Sequence, residues 1–473
     1  MNPQDHHSID IPSLAQELRQ ELATVKPSSP VQFGGGAAAR PIIIVDKVGE
    51  LTRNVDTAKY EYDPQHISIG PYHRTGELVR DADKVSYLHD VLSLAAATNS
   101  GAYLELEDYL TELALMEGRA RSCYAHSFNI PSKEFVRMLL LDACFILFRF
   151  GDVVRHREEE PPANGPVQTA AVAAVDRRED VAVVRDVFYL AENQIPFFVV
   201  DKIHQLAFLD SKAPALEAVA SYAHKLLRGP QYSVATPTVV EPPARTPEAA
   251  NLLHLLHMHF TPSTPLPVPG GGRPVGRWRT ATDYYFAGVT FRKRVLSRVG
   301  AAPARCILDV KVDSGGGTLE VPQLNIDAQT WRLLPNMMAM EQRNPVVSGS
   351  HVTVYCVFMT QLACTPRDVE LLVRRGVIVH GLGNHGEVSQ CFADLWKGGV
   401  FDVNDANQNY LRTVCQTLER RFCSRRWRWL AWLKQNYFTN PWLAAGLVAA
   451  AVGLVCTVIQ AVYTVLSYTK GRN

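Results

Sequence analysis

The sequence lacks the features that mark secreted or zinc-binding proteins. Its nine cysteines are odd in number and include no C-x-x-C pair, so neither a disulfide framework nor a zinc ribbon is indicated. No Asn-x-Ser/Thr sequon occurs, and the start of the chain, MNPQDHHSIDIPSLAQELRQEL, has no apolar run typical of a signal peptide. We therefore expect the chain to fold in a reducing compartment.

An excess of charge of one sign is also missing. The 473 residues include 48 Lys and Arg against 47 Asp and Glu, a formal net charge of +1. This balance exerts no general attraction on nucleic acid, so we expect no nucleic-acid partner. Hydrophobic residues make up 47% of the chain, which is enough to form a core.

Signatures of catalysis are scarce. The chain contains no P-loop, H-E-x-x-H, EF-hand loop or G-x-S-x-G, so we predict no catalytic, cofactor or metal residue. GLGNHG, Gly381–Gly386, matches the dinucleotide pattern G-x-G-x-x-G, but a βαβ unit is not established around it. A tight loop in which Asn384 and Glu387 cap the next helix is the favoured interpretation.

Three histidines in HLLHMHF suggest a metal site only weakly. His254 and His257 share a helical face, but His259 does not, and the segment supplies no carboxylate or thiolate. A core or solvated helix is the better interpretation.

Apolar periodicity predicts a mainly helical fold. It recurs at helical spacing over Asp81–Ala97, Tyr103–Arg121 and Ser132–Phe150, and the last segment has almost no polar face, which indicates a buried helix. Alternation on both sides of Asp313–Gly317 predicts a β-hairpin. The expected class is mainly α (α+β), a helical domain with a small β-hairpin, followed by one C-terminal transmembrane helix.

The transmembrane prediction rests on Pro441–Thr469, which contains no charged side chain. Leu443–Val465 is long enough for a ~30 Å hydrocarbon core, with Trp442 and Tyr463 near its ends, whereas a buried core helix rarely runs so long without charge. Small residues such as Gly446 and Gly453 would let two such helices approach closely as a homodimer.

Basic residues before this run predict its orientation. Six lie between Arg420 and Lys434, including Arg425, Arg426 and Arg428, and only two follow the run. The positive-inside rule then predicts a tail-anchored, single-pass protein with a cytosolic N-terminal domain. Interleaved tryptophans favour contact with anionic membrane lipid over stacking on nucleic acid.

Buried polar residues interrupt two apolar helical segments. Asp142 lies within MLLLDACFIL, and Glu192, Asn193 and Gln194 lie in AENQIP. Such groups must be hydrogen-bonded or paired, so structural roles are favoured over catalysis.

Seven motifs in order resemble the land-plant DUF247 family, also called UPF0481. They are ISIGPYHR, MLLLDACFILFRF, DVFYLAENQIPFFVVDKI, TATDYYFAGVTFRKR, ILDVKVDSGGGTLEVPQLNID, CTPRDVELLVRRGVI and YFTNPW. The family-motif residues of structural or interaction interest are Ser68, Gly70, Pro71, His73, Asp142, Glu192, Asn193, Gln194 and Pro196.

The resemblance implies a domain organisation. A variable N-terminal segment with a short amphipathic helix and a linker covers 1–40, and a DUF247-like domain covers 41–436. That domain has loop insertions near 155–177, 229–247 and 261–279. An anchor and a short tail cover 437–473.

The resemblance also implies a function. It indicates a membrane-anchored plant recognition or signalling protein without catalysis, related to the self-incompatibility determinants of grasses and acting on another protein. The alternative is a hydrolase-like enzyme with an unrecognised site near Ser68, His73 and Glu192.

Overall fold

A computed structural model describes most of the chain after residue 42. The described ranges are 43–53, 61–74, 81–99, 104–151, 181–209, 215–228, 232–235, 249–264, 279–299, 303–327, 329–397, 401–405, 407–436 and 441–470. The predicted segment 1–40 and the insertion near 155–177 lie outside them, as do most of 229–247 and 261–279. The proposed domain limits therefore stay predictions.

The first half of the described fold is built around one buried helix. This helix, α4 (Ser132–Phe150), is flanked by apolar side chains on almost every side, as its sequence predicts. It packs against the helices that precede and follow it. The helices of this half are α1 (Glu50–Arg53), α2 (Asp81–Thr98), α3 (Leu106–Arg121), α4, a helical stretch at 181–188, α5 (Phe197–Ala207), α6 (Ala215–Arg228) and α7 (Leu252–His257).

The second half alternates short helices with short strands. Its helices are α8 (Ala281–Phe286), α9 (Thr330–Arg343), α10 (Pro345–Ser348), α11 (His351–Leu362), α12 (Pro366–Arg374), α13 (His385–Leu395), α14 (Arg412–Cys423), α15 (Arg425–Asn436) and α16 (Pro441–Lys470). The strands are β1 (Thr290–Arg294), β2 (Lys311–Val312), β3 (Thr318–Pro322), β4 (Leu324–Ile326) and β5 (Ile378–His380). The described chain is mainly helical, as predicted.

The predicted hairpin forms one side of a small sheet. Strand β2 pairs antiparallel with β3, placing Val312 opposite Leu319, and β1 joins β3 in parallel. The turn is closed by Asp313, whose carboxylate accepts the Thr318 N–H at 2.9 Å. Strands β4 and β5 form a separate parallel pair.

One carboxylate links the two halves of the helical core. Glu341, on α9, is fully buried and accepts the Val352 and Thr353 N–H groups at 2.9 and 2.7 Å, which caps the start of α11. Its other contact is His257 of α7, at 2.7 Å.

An N-terminal segment lies beside α9 without joining a sheet of several strands. We call residues 43–53 the strap; its first part, 43–49, is extended, and its last part is α1. Val45 forms an isolated bridge with Tyr124, and the Asn344 side chain supplies both partners of Ile44, accepting its N–H at 2.8 Å and donating to its C=O at 3.0 Å. An amide side chain thus replaces a neighbouring strand.

The transmembrane prediction is wrong. Among the described residues, no helix combines the length and the apolar character needed to cross a bilayer. The same finding contradicts the predicted single-pass, tail-anchored topology and the predicted membrane localisation with a cytosolic N-terminal domain. It also removes the membrane-spanning role that we predicted for Trp442, Gly446, Gly453 and Tyr463.

The strap is expected to depend on its amide anchor. Asn344→Ala leaves the N–H and C=O groups of the half-buried Ile44 without their partners, so we expect the free energy of unfolding to fall by about 1–3 kcal/mol. Urea denaturation of the purified chain measures the loss. Asn407→Ala, at an exposed position, is the control and should change stability by less than about 0.5 kcal/mol. Equal effects of the two variants would contradict this role.

Candidate functional site

The polar family-motif residues meet at one buried place in the fold. Three elements converge there: α4, the turn 189–196 that precedes α5, and an extended segment, 61–74, that we call the motif loop. Each motif residue with a buried polar side chain contacts another part of this region, so the geometry can be followed residue by residue.

Asp142 forms a buried ion pair with Lys84. The Lys84 ammonium lies 2.5 Å from one Asp142 oxygen, and both side chains are at most 2% exposed. Lys84 also donates to the Ser68 carbonyl at 2.6 Å, while Asp142 accepts the Gly70 N–H at 2.8 Å. The pair thus holds the motif loop from both sides, which offsets the cost of burying two charges.

Lys84 carries a signal that sequence reasoning missed. It lies on the same helical stripe of α2 as Leu88, Val91 and Ala95, at spacings of four, seven and eleven residues. A lysine on an otherwise apolar stripe indicates a buried partner, and Asp142 is that partner.

Two further side chains hold the backbone of the motif loop. Asp186 accepts the N–H groups of three successive residues, Gln65, His66 and Ile67, at 2.9, 2.6 and 3.2 Å. Asn193 accepts the Ile69 N–H at 2.7 Å and donates to the Ile67 carbonyl at 3.0 Å. All three N–H groups bind the same Asp186 oxygen, Oδ2, so the two side chains hold the backbone of the motif loop from Gln65 to Ile69.

Gln194 joins two helix ends. Its amide nitrogen donates to the carbonyls of Val187 and Leu190, both at 2.9 Å, and its oxygen accepts the Leu252 and Leu253 N–H groups at 3.0 and 3.2 Å. One side chain thus binds N–H groups at the start of α7 and carbonyl groups at the end of the helical stretch 181–188. The predicted structural role of the AENQIP turn is consistent with this arrangement.

Glu192 links the strap to the motif loop. It accepts the Val48 N–H at 2.6 Å and the Arg53 guanidinium at 2.5 Å, and His73 Nε2 lies 3.1 Å from its second oxygen. Arg53 also contacts Asp63 at 2.5 Å. Burial alone would raise the pKa of Glu192, but His73, the Val48 N–H and Arg53 together lower it, so the group remains a carboxylate.

The hydrolase-like alternative gains no support from this geometry. Ser68 contributes its backbone carbonyl, Pro71 is buried and Pro196 precedes the first turn of α5. Ser68, His73 and Glu192 line neither of the two cavities described below.

The glycine motif and the histidines also have structural partners. Asn384 accepts the Glu387 N–H at 2.9 Å, and Glu387 in turn accepts from Gly383, so the predicted cap of α13 is confirmed. Because a carboxylate lies against these N–H groups, a phosphate would be repelled there. His254, His257 and His259 contact Ala250, Glu341 and Ala235 separately, and no group of metal-binding side chains occurs among the described residues.

A basic, aromatic groove lies elsewhere on the molecule, between α8, α12, α14 and α15. It is open and has a volume of about 1100 Å³. We call it the arginine groove after its five guanidinium groups. Its arginines are Arg367, Arg374, Arg375, Arg425 and Arg428, and its aromatic residues are Tyr285, Phe286, Phe422, Trp429 and Trp432.

Cations and rings are paired across this groove. Arg367 lies over Phe286 at 5.6 Å, Arg375 over Tyr285 at 5.8 Å, and Arg428 over Phe422 at 5.2 Å. Two carboxylates line it, Asp283 and Glu370, and Glu370 is bound to Arg374. The predicted basic residues Arg425 and Arg428 therefore face the groove, whereas Arg426 is not part of its lining.

Gly70 is expected to be irreplaceable in the motif loop. Its φ is +75°, and an added Cβ would lie 2.5 Å from the Gln194 carbonyl oxygen. Gly70→Ala should therefore lower the free energy of unfolding by more than about 2 kcal/mol, measured by urea denaturation. Gly118→Ala is the matched control, because nothing lies within 4 Å of its added Cβ inside α3. It should raise stability by up to about 1 kcal/mol.

His254 is expected to make stability depend on acid. Burial, followed by the charge of His257, lowers its pKa from 6.5 to about 3, and its Nδ1 accepts the Ala250 N–H at 3.0 Å. Between these values the unfolded chain binds more protons, so stability falls as pH drops from 6.5 towards 3.

Denaturant unfolding across this pH range tests the assignment. His254→Gln should reduce the dependence by up to about 1.4 kcal/mol per pH unit, the value for one proton. His89→Gln, at a side chain 79% exposed, is the control and should leave the slope unchanged. A slope that is the same in both variants would show that His254 does not titrate in this way.

Two proteins of Arabidopsis thaliana are similar to this chain. UPF0481 protein At3g47200 is 23% identical over 436 residues, which cover 87% of this chain and 84% of that protein. Putative UPF0481 protein At3g02645 is 25% identical over 182 residues, 38% of this chain and 32% of the relative. No solved structure matches the chain.

The family comparison covers almost the whole described fold. The pattern of DUF247, described as "Plant protein of unknown function", matches residues 45–456, which include most of the strap, the motif loop and the arginine groove. The resemblance of the seven motifs is confirmed by this match. The chain therefore belongs to the DUF247, or UPF0481, family of plant proteins of unknown function.

Proposed function

We propose that this protein is a non-catalytic recognition protein that binds acidic, aromatic-containing segments of a partner protein in the arginine groove. The observation that carries this proposal is the composition of the groove, where five guanidinium groups face two carboxylates and alternate with five aromatic rings. Arginine and aromatic side chains are the residues that dominate binding energy at protein interfaces.

The state of the motif residues supports a role without catalysis. Four motif residues are buried: Asp142, Glu192, Asn193 and Gln194. Their polar atoms bind backbone groups or neighbouring side chains. These residues build the scaffold that carries the groove. Members of this family in grasses are associated with self-incompatibility, and recognition of a partner protein is an activity that such a role requires.

The groove favours a peptide over a nucleic acid. Asp283 and Glu370 lie among the arginines and would repel a continuous phosphate backbone, whereas they can accept N–H groups from a peptide. Trp429 and Phe286 are 62% and 46% exposed and offer apolar surface to side chains of a partner. Carboxylates of the partner would pair with the guanidinium groups.

Binding of a fluorescent acidic peptide, EEFEEFEE, provides the test. The variant Arg367→Gln with Arg428→Gln should weaken binding about tenfold by fluorescence anisotropy, since two charge-assisted contacts are lost. The matched control, Arg292→Gln with Arg426→Gln, removes the same net charge from exposed positions that do not line the groove.

Three outcomes would contradict the proposal. The first is equal weakening by the two double variants, which would indicate general charge attraction. The second is equal binding of the basic peptide KKFKKFKK. The third is tighter binding of single-stranded oligo(dT) than of the acidic peptide, which would assign the groove to nucleic acid.

A further inference from the structure

A second, smaller cavity lies beneath the strap and is independent of the arginine groove. It has a volume of about 290 Å³ and is bounded by the strap on one side and by α9 on the other. We call it the strap cavity. Its size is close to the lower limit of ligand-binding pockets, about 300 Å³, so it suits a small molecule.

The interior of the strap cavity is apolar. Fewer than two turns of α9 contribute Pro335, Met338, Ala339 and Met340, and Leu253 of α7 adds to the wall. Pro335 has no N–H, so it brings no donor to this surface. Methionine side chains adapt their shape to a bound apolar group, which suits a flexible hydrocarbon chain.

The roof of the cavity is only partly built into the main core. Ile43 and Val45 of the strap belong to the main core, whereas Val48 and Tyr62 form a small apolar cluster of their own with Ala339. Polar contacts also hold the roof, since Asn344 binds Ile44 and Glu192 binds Val48. The part of the roof at Val48 and Tyr62 can therefore shift to admit a molecule without disrupting the main core.

The rim of the cavity is predominantly cationic. Lys47, Arg343 and Lys397 line it, and Asp46 is the carboxylate among its lining residues. Arg343 contacts Asp46 at 2.9 Å and Lys397 contacts Asp394 at 2.6 Å, yet the two basic side chains are 50% and 52% exposed. An apolar interior with a cationic rim matches a molecule that has an apolar body and one carboxylate.

We propose that the strap cavity binds a small amphiphilic monocarboxylate, with its hydrocarbon chain against α9 and its carboxylate at the Lys47–Arg343–Lys397 rim. The apolar body supplies most of the binding free energy through burial, and the charged end fixes the orientation. This site does not rest on the proposed recognition function, because none of its residues lines the arginine groove.

Titration calorimetry of the full chain with octanoate tests the proposal. Octanoate should bind saturably, and about tenfold more tightly than octylamine, which carries the opposite charge at the rim. Ala339→Leu, which places bulk in the cavity, should reduce octanoate affinity about tenfold or more. Ala220→Leu is the control, a half-buried alanine on α6 outside the cavity, and should leave the affinity unchanged.

Charge variants keep the test valid if Ala339→Leu fails to fold. Arg343→Gln, at a half-exposed position, should weaken octanoate binding about fivefold or more while octan-1-ol binding stays the same. Arg374→Gln, a groove arginine, should have no effect on octanoate.

Four results would overturn the proposal. The first is the absence of saturable octanoate binding up to millimolar concentration, and the second is equal affinity for octanoate and octylamine. The third is an unchanged octanoate affinity in both Ala339→Leu and Arg343→Gln. The fourth is a larger loss of octanoate affinity in Arg374→Gln than in Arg343→Gln. The last result would place the carboxylate in the arginine groove instead.

Discussion

Extended backbone that is buried outside a sheet must still find a hydrogen-bond partner for each N–H and C=O group, and this constraint shapes the fold. The strap and the motif loop are two such segments, and the helical core serves them with side chains. Asn344 and Asn193 act as strand mimics, while Asp186 collects three successive N–H groups. The polar residues of the family motifs are therefore explained by the backbone N–H and C=O groups to which they bind. Because many of these contacts are buried, they make the scaffold rigid.

This division of labour separates the buried scaffold from the exposed groove. The motif residues lie inside, where substitution leaves an orphaned group, whereas the arginine groove presents its charges to solvent. An exposed guanidinium can be exchanged at little cost to stability. Under the proposed recognition function, partner preference would change by replacing side chains of α12 or α15, because the buried contacts that define the domain remain in place.

Sequence reasoning succeeds here where the signal is local. The bounds of α4 and the hairpin turn at Asp313–Gly317 follow from periodicity and turn chemistry, and so does the Asn384 cap. It fails where partners are distant. The position of Asp142 in an apolar helix predicts a cationic partner. The neighbouring sequence does not indicate that this partner is Lys84, which lies 58 positions away. The sequence shows Arg428 in a basic cluster. Its neighbours in the groove, Arg367 and Arg375, come from α12 and from the turn that follows α12. The groove therefore forms only when the chain folds.

The contact between Ile44 and Asn344 spans 300 residues, which has a consequence for synthesis of the chain. A ribosome adds about 5–20 residues per second, so the strap emerges roughly 15–60 s before its anchor exists. During that interval the backbone groups of Ile44 lack the Asn344 side chain, and the strap lacks the surface of α9. The strap must therefore complete its docking late in folding, after the partners of the motif loop at Lys84, Asp142 and Asp186 have been synthesised.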